Sequence, residues 1–242
     1  MSNLSRLVLE ITDFSENTVG LTTQQQHYLK RVLRLQNGDR FIAMNGQGKS
    51  WLAELKNTQA KLLELLQHDT ELTVNLTLIT ALPKGNGYEQ VLRCGTELGA
   101  NHFIPVQSGR SLLKPSPNKV VRWRKIVTEA AEQAERAIVP QLSDPVSFQQ
   151  ALTELIIDKS DCYICVARGE LPSLWNCLET STNLNIVVAT GAEGGWTNQE
   201  VQIAQTQQFK PVSLGKSILR AVTAPIAVAT LVNTMNYQKN NF

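Results

Sequence analysis

The sequence predicts an α/β protein, a mostly parallel sheet covered by helices, preceded by a small β-rich domain. Three observations lead there. From Leu72 onward, short apolar runs alternate with stretches of helical periodicity, the pattern of strand–helix–strand units. Up to about Thr73 the apolar runs are short and separated by turn residues. Between Ile186 and Pro225, two strand–glycine-loop–helix units follow one another directly.

The 242 residues suit one large or two modest domains. The junction falls between Glu71 and Val74 without a Pro/Gly-rich linker, giving domains 1–73 and 74–242. With 42% hydrophobic and 18% charged residues the chain can bury a proper core. No apolar run approaches the ~18 residues of a membrane span, and the first residues carry no signal-peptide pattern, so a cytoplasmic protein is expected. The net charge of +2 is too small to argue for nucleic acid by itself. Cys162 and Cys165 have C-x-x-C spacing but sit in a strand pattern, where positions three apart face opposite ways. They read as buried apolar residues. His27, His68 and His102 are scattered, and no metal site is expected.

The elements follow in order. Arg6 to Ile11 alternates as a strand. Gln24 to Leu35 reads as a helix with an apolar stripe of Leu29, Val32 and Leu33, leaving Lys30, Arg31 and Arg34 on the other side. Those three cations suit RNA, although a solvated helix face has the same composition. Arg40 to Met44 is a strand leading into the turn signal Asn45-Gly46. Trp51 to Leu55 is a further strand, and Lys61 to Leu66 fits a strand or a helix.

Leu72 to Leu82 is a strand, broken by 83–87. Tyr88, Val91, Leu92, Gly95 and Leu98 recur at helical spacing, and Gly99 ends that helix. His102 to Val106 is the next strand. A long helix from Lys119 to about Ile138 carries Arg122, Arg124, Lys125 and Arg136. Asp144-Pro145 reads as the cap and first residue of another helix with Phe148, Leu152 and Leu155 inward. Tyr163 to Ala167 is a strand running into Arg168-Gly169-Glu170. Ile186 to Val188 is a buried strand ending in the glycine loop 191–195, and Thr197 with Glu200 forms a capping box. Pro211 to Leu214 is a short strand, followed by Gly215 and the loop to Arg220. Val228, Leu231, Val232 and Met235 mark the last helix.

Ligands of parallel sheets sit beyond the carboxyl ends of strands. The loops 167–170, 190–196 and 214–220 are therefore expected to converge. Glycine loops between strand and helix let backbone N–H groups approach a ligand, although many such loops bind nothing. Neither a dinucleotide fingerprint nor a phosphate-binding loop is present.

The ordered blocks along the chain resemble the bacterial ribosomal RNA small subunit methyltransferase E family, of the SPOUT class. His27 to Leu35 with Asn37-Gly38-Asp39 resembles its N-terminal signature. Pro83-Lys84-Gly85, Thr96 to Gly99, Arg110-Ser111, Arg122 to Ile126, Glu129 to Gln133 and Val139-Pro140 resemble its central blocks. Gly191 to Gly195 is similar to the family's Gly-Pro-Glu-Gly-Gly, while Val212 to Gly215 and Ile218 to Arg220 resemble its final loop. There are departures: Ala192 stands at the usual proline, Ser217 at a common arginine, Cys94 at a lysine and Gly109 at a glutamate. Ala221-Val222 replaces Thr-Glu, removing a carboxylate.

The resemblance implies a PUA-like β-barrel domain, a SPOUT domain with a deep trefoil knot, and a homodimer. It implies transfer of a methyl group from S-adenosyl-L-methionine to N3 of a uridine in 16S rRNA, free or in the assembled small subunit. Cofactor contacts are expected from Ala167, from Thr190, Gly191, Ala192, Glu193, Gly194 and Gly195, and from Leu214, Gly215, Ser217, Ile218 and Leu219. Arg220 is the catalytic candidate, as a donor to charge developing on the uracil. Glu193 has two candidate roles, cofactor contact or ordering of its loop, of which the second is favoured. Lys30, Arg31, Arg34, Lys84 and Arg110 are the candidate RNA contacts. Two other readings stay open: an RNA-binding protein that has lost transfer, and a methyltransferase acting on a ribose 2′-hydroxyl.

Overall fold

The computed structural model describes residues 4–9, 17–67, 70–154 and 159–241. The chain divides into two compact units, one of Met1–Glu71 with Thr128–Val139, the other of Leu72–Val127 with Pro140–Phe242.

In the first unit, strands β1 (Arg6–Val8), β2 (Thr18–Gly20), β3 (Arg40–Met44), β4 (Ser50–Lys56) and β5 (Gln59–Leu66) form a five-stranded sheet among the described residues, in the order β1-β3-β4-β5-β2. The β1–β3 pair is parallel and the others are antiparallel. Alternate residues point into one core. Phe41 and Ala43 do so from β3, and Trp51, Ala53 and Leu55 from β4. The segment 61–66, open to two readings in the sequence, is the strand β5 because it pairs with β4. The expected turn forms at Asn45, whose side-chain oxygen accepts the N–H groups of Gln47 at 2.9 Å and Lys49 at 3.0 Å. Of the expected first strand, Glu10 and Ile11 lie outside the described residues.

The helix of this unit departs from the expected stripe. Helix α1 (Thr23–His27) starts at a Thr22–Gln25 capping box and continues as a π-helical turn, Tyr28–Val32. The Leu33 N–H reaches back five residues to the Tyr28 carbonyl at 3.0 Å. The wider turn shifts the phase of the side chains. Leu29 is buried, Leu33 half-buried, and Val32 is turned out, 58% exposed.

The 128–139 segment holds this unit's buried charge. The Arg136 side chain, 3% exposed, donates to Glu71 at 2.7 Å. The other Glu71 oxygen accepts the Ile138 N–H at 3.1 Å. Glu132 accepts the Val8 N–H at 2.7 Å.

In the second unit, strands β6 (Asn75–Ala81), β7 (His102–Gln107), β8 (Gln141–Leu142), β9 (Val146–Ser147), β10 (Ser160–Cys165), β11 (Asn185–Thr190) and β12 (Lys210–Val212) form one sheet. Its order among the described residues is β12-β10-β11-β6-β7-β8, with β9 also on β7, and every pair is parallel. The helices are α2 (Gly87–Glu97), α3 (Pro117–Gln133, in this unit up to Val127), α4 (Phe148–Glu154), α5 (Leu174–Thr180), α6 (Asn198–Thr206) and α7 (Thr223–Asn241). Ile79, Ala81, Ile104, Ile164, Val187 and Ala189 face a core shared with Phe148, Leu152 and Ala204. Leu76, Leu78 and Val188 alternate with them and point to the other face.

Helix α2 packs closely on the sheet because Gly95 leaves room. A Cβ there would stand 2.8 Å from the Phe103 ring. Gly99, at φ +94°, ends the helix in the left-handed conformation. The helix expected at Asp144-Pro145 instead starts at Phe148. Val146–Ser147 is drawn into the sheet by β7, so the cap falls to Ser147, whose Oγ accepts the Gln150 N–H at 3.1 Å. Asp144 pairs with Arg124 at 2.6 Å, and Arg122 with Glu89 at 3.0 Å. Leu155 lies outside the described residues. No helix among them is long and apolar enough to cross a membrane.

Burial raises the Glu132 carboxyl to about 7, with the Val8 N–H opposing the shift and Glu129 adding to it. A carboxyl raised by folding favours the folded state below its unfolded pKa near 4.5 and loses that contribution as pH rises through about 7. Glu132→Gln is expected to flatten the fall in stability between those two pH values, an effect on the order of 3 kcal/mol. Urea titrations across that range measure it.

Candidate functional site

Strands β11, β10 and β12 lie side by side and parallel, so their carboxyl ends open on one side of the sheet. The loops leaving them enclose a cavity of about 350 Å³. The expected convergence is therefore found.

The β11 loop is bent into a tight turn, with the Gly195 N–H on the Ala192 carbonyl at 2.8 Å. A Cβ on Gly191 would stand 3.1 Å from the Gly195 Cα, backbone against backbone. Gly195 has φ +67° and nothing within 4 Å of where its Cβ would be, so one side of the turn is bare backbone. Glu193 points away and accepts the Lys84 N–H at 3.0 Å, the ordering role expected of it. The Arg110 guanidinium donates to the carbonyls of Gly194 and Trp196. Thr197 and Glu200 form the expected capping box at the start of α6, and the second Glu200 oxygen accepts the Gly109 N–H at 2.8 Å.

The loops after β10 and β12 are stitched together. The Val166 N–H donates to Val212, Ser213 donates to Pro172, and Leu174 donates to Ser213, at 2.9 to 3.0 Å. Gly215, at φ +121°, again leaves open space where a side chain would be. The Arg220 carbonyl accepts from Thr223 and Ala224, starting α7.

Of the expected residues, Ala167, Gly191, Ala192, Gly194, Gly195, Leu214, Gly215, Ser217, Ile218 and Leu219 line the cavity. Thr190, Glu193 and Arg220 are not in its lining. Thr190 is fully buried beneath the loop, with its hydroxyl unpaired, and the Arg220 side chain is exposed. Arg110, expected to meet RNA, is part of the cavity wall. Lys84 is exposed in this unit. Lys30, Arg31 and Arg34 are exposed in the first unit, Arg34 at φ +58°.

The lining also includes Cys165, Val166, Arg168, Trp196, Asn198 and Ser213, which the sequence reading did not select. Each lies within a few residues of a selected loop, so strand-end position was the available signal. Burial pushes the Cys165 thiol up to about 12 and Cys162 to about 11. Both stay protonated near neutral pH and are poor nucleophiles. Cys162 is buried as expected, but Cys165 is half-buried at the cavity. Among the described residues no acidic side chain lines the cavity, and the cations that do are Arg110 and Arg168. Among the described residues no three His, Cys, Asp or Glu side chains are grouped to hold a metal.

Residues 70–233 match the family model of an RNA methyltransferase domain, and residues 21–66 that of an RNA methyltransferase PUA domain. The chain is 47% identical over 235 residues to the ribosomal RNA small subunit methyltransferase E of Synechocystis, covering 95% of this chain and 77% of that one. To the Bacillus subtilis protein of the same name it is 32% identical, covering 89% and 90%. The crystal structure of the Neisseria gonorrhoeae protein of that name, bound to S-adenosyl methionine, superposes with a TM-score of 0.86. It is 30% identical, covering 96% of this chain and 97% of that one.

Glu200→Ala removes the acceptor for both Thr197 and Gly109. It is expected to cost about 1–2 kcal/mol, with Glu200→Gln, which keeps one acceptor oxygen, losing less. Thermal or urea unfolding measures both.

Proposed function

The chain belongs to the ribosomal RNA small subunit methyltransferase E family, and on that premise we propose that it methylates N3 of a uridine in 16S rRNA. The coarser activity, S-adenosyl-L-methionine-dependent methylation of small-subunit ribosomal RNA by an α/β SPOUT-type domain with an N-terminal PUA domain, is that of the family. The observation carrying the proposal is the cavity at the ends of β10, β11 and β12, lined by their exit loops.

The cavity fits the cofactor. Gly195 and Gly215 leave backbone bare on its two sides, with no atom within 4 Å of either missing Cβ. The loops holding them are tied in place by Glu193, Arg110 and the β10–β12 loop bonds. Such a frame binds through N–H and C=O groups and holds its geometry during reaction. S-adenosyl-L-methionine supplies an activated methyl group on a sulfonium.

For N3 to accept a methyl, its proton leaves and charge spreads over the uracil oxygens. Arg220, exposed beside the start of α7, is our candidate donor to that charge. Glu193 is committed to Lys84, and Val222 packs against Gly87, where a Cβ would stand 2.7 Å from it. Among the described residues no carboxylate lines the cavity, and water is the candidate acceptor of the N3 proton. We assign residues 1–73 to RNA binding and 74–242 to transfer. Lys30, Arg31, Arg34 and Lys84 are taken as phosphate contacts, whereas Arg110 orders the β11 loop. The enzyme works as a homodimer in the cytoplasm, where its substrate is assembled.

Small subunits from cells lacking the native enzyme, incubated with the protein and S-adenosyl-L-methionine, are expected to yield 3-methyluridine on mass spectrometry of the digested rRNA. Arg220→Ala is expected to slow transfer by roughly 100-fold or more while leaving cofactor affinity in place. A 2′-O-methyl product would overturn the N3 assignment, and cofactor binding without any product would overturn this substrate.

A further inference from the structure

Arg168 stands in the cavity wall just beyond the carboxyl end of β10. Its loop is anchored on both sides. Val166 is bonded to Val212 before it, and Pro172 and Leu174 to Ser213 after it. Gly169, at φ +114°, turns the chain immediately past it. The backbone that carries Arg168 is thus held at both ends, and its side chain is exposed.

The two cations of the cavity differ in their commitments. Arg110 gives its N–H groups to the Gly194 and Trp196 carbonyls. Arg168 makes no hydrogen bond or ion pair with any described residue. Glu170, two residues on, is exposed and is not in the lining, and no other acidic residue lines the cavity. An arginine held over a cavity without an internal counter-charge leaves a planar fork of donors for an anion on the ligand.

We propose that Arg168 binds the α-carboxylate of the cofactor's methionyl arm, an assignment that rests on the cofactor occupying this cavity. The carboxylate is the cofactor's one anionic group; the sulfonium and the ammonium are cationic and are repelled by a guanidinium. Pairing at the carboxylate therefore fixes the arm's direction and keeps the sulfonium away from Arg168. The residue acts as a clamp on the arm, with no part in moving the proton.

The test compares two ligands and two variants. Calorimetry is run with S-adenosyl-L-methionine and with its decarboxylated analogue, which keeps the adenosine, sulfonium and amine. The expected result is a 10- to 100-fold loss of S-adenosyl-L-methionine affinity in Arg168→Ala, of the order of one charged hydrogen-bonded pair. The analogue should bind wild type and variant alike. Arg168→Lys, retaining charge without the fork, should recover part of the loss and serves if the alanine variant does not fold, as judged by its melting temperature.

Equal losses for both ligands would overturn the inference, because the loop and not the carboxylate would then have been disturbed. Unchanged S-adenosyl-L-methionine affinity would overturn it as well. If that came with weaker binding of 16S rRNA in a filter assay, Arg168 would be a phosphate contact. Wild-type protein that binds neither ligand would overturn the cavity's assignment itself, an outcome separable from the others.

Discussion

The pairing of β10 with both β11 and β12 is the constraint on which the site depends. Three strands that follow one another in the chain lie side by side in the sheet, with β10 between β11 and β12, all pointing the same way. Their exits then have no choice but to meet. The loops after β11 and β12 are bare at Gly195 and Gly215, so part of the wall is peptide groups. A site made this way has its polarity built into the main chain, and side-chain substitutions alter it less than displacement of a strand would.

The charged side chains near the cavity mostly serve the frame. Glu193 holds the backbone of Lys84, Glu200 holds Gly109 and the start of α6, and Arg110 spans two carbonyls of the β11 loop. These are hydrogen bonds between one ionised partner and the main chain, stronger than neutral ones. They link the loops after β6, β7 and β11. Arg168 is the exception, a charge on an anchored loop without a described partner.

Much of this was legible in the sequence, and the misses have physical causes. The alternation from Leu72 onward announced a parallel sheet, and glycine spacing marked the loops that form the cavity. The order of strands was not legible, because pairing across such separations leaves no local pattern. The stripe on Leu29, Val32 and Leu33 assumed a regular helical period, and the π-turn broke it. The start of the helix after Asp144 was drawn from its capping residues, whereas pairing of Val146–Ser147 with β7 delayed it. In the site, the loops expected to converge do line one cavity, while side-chain direction left no signal in the sequence. Thr190 alternates inward below the cavity, and Arg110, named as a candidate RNA contact, lies on the carbonyls of Gly194 and Trp196.

Ala192 and Trp196 belong to two structures at once. Both line the cavity, and both are buried in the core that contains Ile79, Val187 and Phe148, with the Trp196 indole stacked on Phe148 at 4.3 Å between ring centres. The β11 wall therefore cannot swing aside without opening the core beneath it, so its mobility is bounded by the cooperative unfolding of the domain. Residues 215–218 on the opposite wall are exposed and carry no such anchor. The two walls are thus held by different means, one by core packing and the other by the hydrogen bonds of its own loop, Ser213 Oγ to Gly215 among them.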